Sequence, residues 1–205
     1  MMLKSLRIVP IIAAVFMLPV LAQGDTWRLD PAHSAAQFSV RHLGISTVRG
    51  AFTKVEGTVQ YSPSDPSQCI IDATIESSSV DTRVEMRDNH LRSADFLDVA
   101  KYPAITFKSK RATANGPGRL NVVGDLTIHG VTKEVVLDVE GPTPVVKDPM
   151  GNLRMGASAT TKISRKDFGI NGAPGMVGDE ITIILDIELS APAAGPNAPH
   201  PAASK

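Results

Sequence analysis

The sequence predicts a mainly β, antiparallel protein with one short helical insertion. Runs of alternating apolar and polar residues recur eight times along the chain. Turn sequences such as SPSDPS and ANGPG close these runs. A single charged stretch, DNHLRSADFLDVAKYP, interrupts the alternation after the third run. Because each run has one apolar face and one polar face, one side of the sheet is expected to face water.

The eight runs fix the expected strands. They are 36–42, 51–61, 69–75, 105–109, 120–128, 135–139, 153–163 and 181–189. In the second run Phe52 and Val55 are out of step, which predicts a β-bulge between them. The eighth run is the most regular, since its five aliphatic residues are all in phase.

Two architectures accommodate these strands, a two-sheet sandwich or an eight-stranded barrel. A barrel has no free edges, and its interior is either filled by side chains or holds one slender ligand. Many inward positions carry small residues, which are Ala36, Ala73, Gly124, Ala157 and Ala159. With only one Trp, two Tyr and six Phe in the chain, the strands either approach closely or surround a ligand. Both alternatives stay open at this point.

The chain divides into three segments. Lys4 and Arg7 precede an apolar run that ends in a small-residue cleavage signal, so residues 1–22 are predicted to be a secretory signal peptide cleaved after Ala22. Residues 23–190 are expected to form one domain, exported to the periplasm, and residues 191–205 a disordered tail rich in Pro and Ala. An uncleaved anchor is the alternative, but the apolar run is shorter than the roughly 18 to 20 residues of a membrane span.

Charge and cysteine content narrow the function further. Without its signal the chain carries 19 basic and 21 acidic residues, which argues against a nucleic-acid partner or an anionic membrane surface. Cys69 is the only cysteine, so no internal disulfide forms and no lipidated cysteine follows the signal. No stable membrane anchor is therefore expected after cleavage. By strand parity Cys69 points inward and is predicted to be an inert core thiol.

The charged insertion between the third and fourth strands is predicted to begin as a helix. Thr82 and Glu85 have the spacing of a capping box, which predicts a helix from Arg83 to about Arg92. A second short helical start is expected at 93–96, before Pro103 ends the segment.

The role of this insertion has two interpretations. It caps the barrel, with Leu91 and Phe96 plugging the core, or it forms a charged lid that orients the head of an amphipathic ligand. Arg87 and Asp88 lie on or beside the apolar stripe of the helix, so they are either structural or in contact with that head.

Motifs for enzymatic chemistry are absent from the sequence. There is no nucleophile elbow, no phosphate-binding glycine loop and no His-Glu-x-x-His, and the five histidines lack ligand spacing. We therefore expect no catalytic residue, no metal and no cofactor. His42 and Arg165 fall on inward positions at strand ends. A buried Arg165 would need a carboxylate such as Asp88, or an anionic ligand.

Five segments in order resemble the YceI-like family of secreted polyisoprenoid-binding proteins. They are WRLDPAHSAAQFSVRHLG, VRGAF, SSSVDTR with MRDNHLRSADFLDVAKYPAITFKS, GDLTIHGVTKEV, and ISRKDFGI with VGDEITIILDIEL. The resemblance runs from Trp27 to about Leu189. It implies an elongated, lipocalin-like eight-stranded barrel whose apolar channel binds one long isoprenoid chain. It also implies a protein that is not an enzyme.

Parity and this resemblance together predict the ligand-binding residues. The expected apolar wall comprises Phe38, Val40, Ile75, Leu91, Phe96, Ile105, Phe107, Leu126, Leu137, Met155 and Ile183. The expected contacts to the polar head are His42, Arg87, Asp88 and Arg165.

The leading hypothesis is a periplasmic carrier of a polyprenyl phosphate, a quinone or a quinone precursor. Another amphiphile, such as a fatty acid or fatty amide, is the related alternative. Two further classes are an enzyme acting on a lipid head with His42 or His129 as acid or base, and a stress-response module with a filled interior. A homodimer stays open.

Overall fold

The computed structural model describes residues 25–62 and 64–191. The predicted signal peptide, and all of the predicted tail except Ala191, lie outside the described residues. Within the described part of the chain, no helix is long and apolar enough to cross a membrane.

Twelve strands and one α-helix make up the fold. The strands are β1 Asp25–Leu29, β2 Ala35–His42, β3 Ser46–Phe52, β4 Val55–Tyr61, β5 Ile70–Glu76, β6 Val80–Asp81, β7 Ala104–Ala114, β8 Arg119–Ile128, β9 Val131–Glu140, β10 Val146–Lys147, β11 Leu153–Ser164 and β12 Val177–Ala191. Helix α1 spans Glu85–Arg92, and 3₁₀ turns span Pro66–Gln68, Ser77–Ser79 and Arg165–Phe168.

Eight of these strands close into an antiparallel barrel. The ring runs β11-β9-β8-β7-β5-β4-β1-β12 and returns to β11. Two further pairings extend the sheet beyond this ring. Strand β2 follows β1 along the same edge of β12, and β6 follows β5 along the edge formed by β3 and β4. The predicted eight-stranded barrel is confirmed. In chain order, α1 lies between its third and fourth ring strands, β5 and β7.

The N-terminal strands differ from the prediction. Strand β1 was not predicted, because DTWRL is short and follows no alternating run. The predicted 51–61 strand is two strands, since β3 ends at Phe52 and β4 begins at Val55. At this break the Thr53 amide donates to the Ser79 carbonyl instead of to a neighbour in the ladder. The break in alternation at Phe52 therefore marks the boundary between two strands and not the predicted β-bulge within one strand.

The predicted capping box of α1 is wrong. The helix begins at Glu85, and its N-cap Val84 makes no side-chain hydrogen bond. Arg83 has a φ of +65°, a left-handed conformation that breaks the chain before the helix. The Thr82 hydroxyl does not cap the helix, because it donates a hydrogen bond to the Asp88 carboxylate. The predicted helical start at 93–96 is a series of turns.

A close contact between an aromatic ring and a glycine shapes the barrel wall. Gly124 is one of the small residues predicted to face inward, and the ring of Phe107 covers it: a Cβ at Gly124 would lie 2.4 Å from Phe107 Cζ. Gly50 accommodates Phe38 in the same way, with 2.5 Å to Phe38 Cζ. Small residues in this wall therefore let aromatic rings lie flat across neighbouring strands.

We predict that Gly124→Ala destabilises the barrel by about 1 to 3 kcal/mol, because the methyl group must displace Phe107 or its strand. Urea denaturation would measure the free energy of unfolding. Gly156→Ala is the matched control, since its nearest neighbouring atom, Ile187 O, lies 3.5 Å from the added carbon. The control should change stability by less than about 0.5 kcal/mol. Equal effects of the two substitutions would contradict this description of the wall.

Candidate ligand cavity

The barrel encloses an apolar cavity of about 290 Å³. This volume is near the lower end of the roughly 300 to 1,000 Å³ typical of small-molecule sites. Its wall follows strand alternation, so residues two apart on the same strand face inward together. On β12, for example, Ile181, Ile183 and Leu185 all line it.

Eleven of the fifteen predicted contact residues line this cavity. They are Phe38, Val40, Ile75, Leu91, Phe96, Ile105, Phe107, Leu126, Leu137, Arg165 and Ile183. The insertion thus closes one end of the cavity, since Leu91 lies on α1 and Phe96 on the turn that follows it.

Met155 and His42 do not line the cavity. Met155 is 3% exposed and packs with Trp27, Leu189 and Ala191 at the end of the barrel opposite α1. His42 is the last residue of β2, where it pairs with Ser46 in the hairpin to β3. Alternation along a strand predicts which side chains face the cavity only where the strand is part of the cavity wall. At the last residue of β2 it no longer does so.

Arg87 and Asp88 also lie outside the cavity wall, because local contacts occupy both. Asp88 is buried and accepts hydrogen bonds from the Thr82 amide, at 2.9 Å, and from the Thr82 hydroxyl. Arg87 donates through Nε to Thr82 Oγ1 at 2.7 Å and through Nη2 to Thr82 O at 2.9 Å. Together they fix α1 against β6, and this places Leu91 in the wall.

Arg165 lines the cavity but is occupied by backbone groups. It is 3% exposed and donates four hydrogen bonds of 2.7 to 3.1 Å to the carbonyls of Ile170, Gly172, Val177 and Gly178. Asp179 lies 3.6 Å from its Nη2. The predicted partner Asp88 is therefore wrong, and Arg165 instead fixes the 165–178 loop, whose Phe168 and Ile170 also line the cavity.

Some polar wall residues were not predicted as ligand contacts. Tyr61 lines the cavity at the end of β4, and burial raises the pKa of its phenol. Cys69 lines it too, and burial raises the pKa of its thiol to about 11, which keeps the thiol neutral. Thr161 lines it from β11. Parity with Val59 would have identified Tyr61, and parity with Ile163 would have identified Thr161.

Two other histidine-containing groups serve the structure. His129 Nδ1 lies 3.3 Å from Phe168 O, and its ring packs on Tyr102 at 4.5 Å between centroids. Asp30, His33 and Glu188 bring potential metal-ligating atoms within 4.8 Å of one another.

That second group is an ion-pair cluster around Arg154. The Arg154 Nη1 donates to Asp30 Oδ2 at 2.5 Å and to Glu188 Oε1 at 3.2 Å. The Arg154 hydrogen bond lowers the pKa of Asp30 to about 2. The Arg154 guanidinium thus pairs with both carboxylates, and the cluster joins β11 and β12 to the loop after β1.

These features define a class of protein, an antiparallel barrel that encloses an apolar cavity. The YceI-like domain model matches residues 27–189, and the chain belongs to the YceI-like family. Protein YceI of Escherichia coli O157:H7 is 40% identical over 156 residues, which cover 76% of this chain and 81% of that protein.

Solved structures share the fold. The Campylobacter jejuni YceI protein is 34% identical, with a TM-score of 0.64, and the match covers 76% of this chain and 90% of that one. A polyisoprenoid binding domain from Saccharophagus degradans is 15% identical with a TM-score of 0.60, over 81% of this chain and 98% of that domain. At this low identity the second likeness establishes the fold alone.

We predict that Arg165→Met destabilises the protein by about 3 kcal/mol or more, because it leaves buried carbonyls without donors. Urea denaturation would measure this loss. The neighbouring Lys166→Met is the matched control, since Lys166 makes one exposed ion pair with Asp179 at 2.8 Å and should contribute at most about 1 kcal/mol. An Arg165→Met protein as stable as the control would show that Arg165 is not structural.

Proposed function

We propose that this protein is a periplasmic binding or carrier protein that holds a long isoprenoid lipid in its barrel. The ligand class comprises polyprenyl phosphates, quinones and quinone precursors. The observation that carries the proposal is the apolar wall of the cavity, to which all eight ring strands contribute. Export to the periplasm belongs to the proposal and rests on the signal-like sequence of residues 1–22.

The energetics suit a ligand that is mostly hydrocarbon. Apolar surface gains about 25 cal/mol for each Å² removed from water, without directional contacts. An isoprenoid tail therefore needs no polar partner in the wall. Because Arg87, Asp88 and Arg165 are already hydrogen-bonded within the protein, none of them has to be satisfied by the ligand.

The comparison with known proteins supports the same ligand class. The Saccharophagus degradans domain, which has this fold, is described as polyisoprenoid binding. The YceI-like domain model, which matches residues 27–189, places this chain in a family that shares that fold. Binding rather than catalysis is accordingly the proposed function.

The histidines do not favour an enzyme. His42 lies outside the cavity wall, at the end of β2. His129 contacts the Phe168 carbonyl and the Tyr102 ring, so its position is explained by packing. A fatty acid or fatty amide fits the same apolar wall, and the experiment below separates it from an isoprenoid.

We predict that protein purified from the periplasm of its own host retains a lipid-sized adduct in native mass spectra. Denaturing spectra of the same sample should show the bare polypeptide, because the lipid is held by burial rather than by a bond. Extraction and fragmentation of the released molecule should give isoprene units. If the released molecule contains unbranched alkyl chains instead, the ligand is another amphiphile and not an isoprenoid. Repeated ligand-free native spectra would contradict the carrier function.

A further inference from the structure

One wall of the barrel is incompletely paired. Strands β9 and β11 form only three residue pairs, Ser158–Glu140, Ala159–Val139 and Thr160–Asp138. In contrast, β9 pairs with β8 along its whole length, and β11 pairs with β12 along its whole length. Residues 134–137 of β9 and 161–164 of β11 therefore face each other without a ladder, and residues 131–133 face the Arg165–Phe168 turn. We call this opening the β9–β11 gap.

The gap leads directly to the cavity. Val135 and Leu137 on one side of it, and Thr161 and Ile163 on the other, all line the cavity. Val135, Thr161 and Ile163 are only partly buried, whereas Val139, beside the paired stretch, is 7% exposed. Where the ladder ends, the apolar wall thus becomes open to solvent.

The two ends of the gap are closed. The three β9–β11 pairs close it on one side. On the other side the Arg165–Phe168 turn reaches β9 and the hairpin before it, where Phe168 O contacts His129. Between these limits, the backbone groups that point into the gap make no ladder hydrogen bonds. Such unpaired amides donate readily to oxygen atoms of a ligand.

A lysine lies next to the gap, at the end that the Arg165–Phe168 turn closes, on an otherwise apolar face of β9. Lys133 alternates in phase with Val131, Val135 and Leu137, so it lies on the cavity face of β9. It pairs across the ladder with Leu126, which is 7% exposed and lines the cavity. Lys133 is nevertheless exposed, and no carboxylate of the described residues lies within ion-pairing distance.

The other charges around the gap are mostly neutralised by one another. Glu134 is on the opposite face of β9, where Lys110 and Arg111 approach it. Further pairs at 2.8 Å are Lys162 with Glu180 and Lys166 with Asp179. Asp167, on the adjoining turn, is exposed and does not pair with Lys133. Lys133 is therefore a cation without an ion-pair partner among the described residues, and it lies one residue beyond the gap on the cavity face of β9.

We infer that the β9–β11 gap is the head-group site, and that Lys133 selects lipids with an anionic head. The Lys133 ammonium binds a phosphate or carboxylate oxygen, and Thr161 Oγ1 and the unpaired amides donate the remaining hydrogen bonds. The tail lies in the cavity. This inference rests on the proposed function, and it narrows the ligand class to anionic amphiphiles such as a polyprenyl phosphate.

Calorimetric titration with a matched pair of probes tests this inference. Geranylgeranyl phosphate and geranylgeraniol have the same tail and differ in the phosphate. The wild-type protein should bind the phosphate at least about tenfold more tightly, as expected for hydrogen bonds to a charged group. Added salt should weaken binding of the phosphate and leave binding of the alcohol unchanged.

Substitutions assign the effect to Lys133. In Lys133→Gln the phosphate should lose that advantage while affinity for the alcohol stays constant, and Lys133→Arg should restore most of it. Lys108→Gln is the matched control, because it removes the same charge from an outer-face residue paired with Asp72 at 3.2 Å. A palmitate and hexadecanol pair repeats the comparison for a carboxylate head.

The outcomes separate the inference from the proposed function. Equal wild-type affinity for geranylgeranyl phosphate and geranylgeraniol, or a Lys133→Gln protein that binds the phosphate normally, would overturn the head-group site and leave the carrier function intact. Palmitate binding that depends on Lys133, without isoprenoid binding, would support the anionic head and reject the isoprenoid tail. A wild-type protein that binds none of the four probes would overturn both proposals.

Discussion

The ladder between β11 and β12 is the constraint on which the rest of the structure depends. It pairs twelve consecutive residues of β11, from Leu153 with Ala191 to Ser164 with Glu180. The opposite edge of β12 carries both β1 and β2, so this one strand closes the ring. A closed ring determines which side chains face inward, because alternation leaves each strand residue only two directions.

Closure also explains why the polar residues of the insertion and of the 165–178 loop are structural. Both segments end on the barrel and have few strand partners, so side chains must satisfy their backbone groups. Thr82 with Arg87 and Asp88 does this beside α1, and Arg165 does it for the loop. Each network holds apolar residues in the cavity wall. The charges of the insertion thus hold one end of the cavity shut.

Strand alternation predicted most of the wall from the sequence. Phe38, Ile105 and Ile183 were placed correctly because period-two patterns hold wherever a strand is fully paired. His42 was misplaced because its strand ends there. For Asp88 the structural alternative holds, because Asp88 accepts a hydrogen bond from the Thr82 hydroxyl, which therefore forms no capping box.

The β9–β11 gap was beyond reach of the sequence, since the alternation of both strands continues across it and only the register shows that the pairing stops. The sequence did not predict Lys133 as a ligand contact for the same reason. A lysine in a strand is ordinarily solvated, and its position becomes informative only beside an opening into an apolar cavity.

The central claim is that the barrel interior is a binding cavity, and filling it is the most direct test. Ala73→Phe would place a ring in the cavity from β5, whereas Thr74→Phe places the same ring on the exposed outer face. The measurement is the affinity for geranylgeraniol by calorimetric titration. The account predicts at least a tenfold loss for Ala73→Phe, with folding retained, and no loss for Thr74→Phe. Unchanged affinity in a folded Ala73→Phe protein would contradict it.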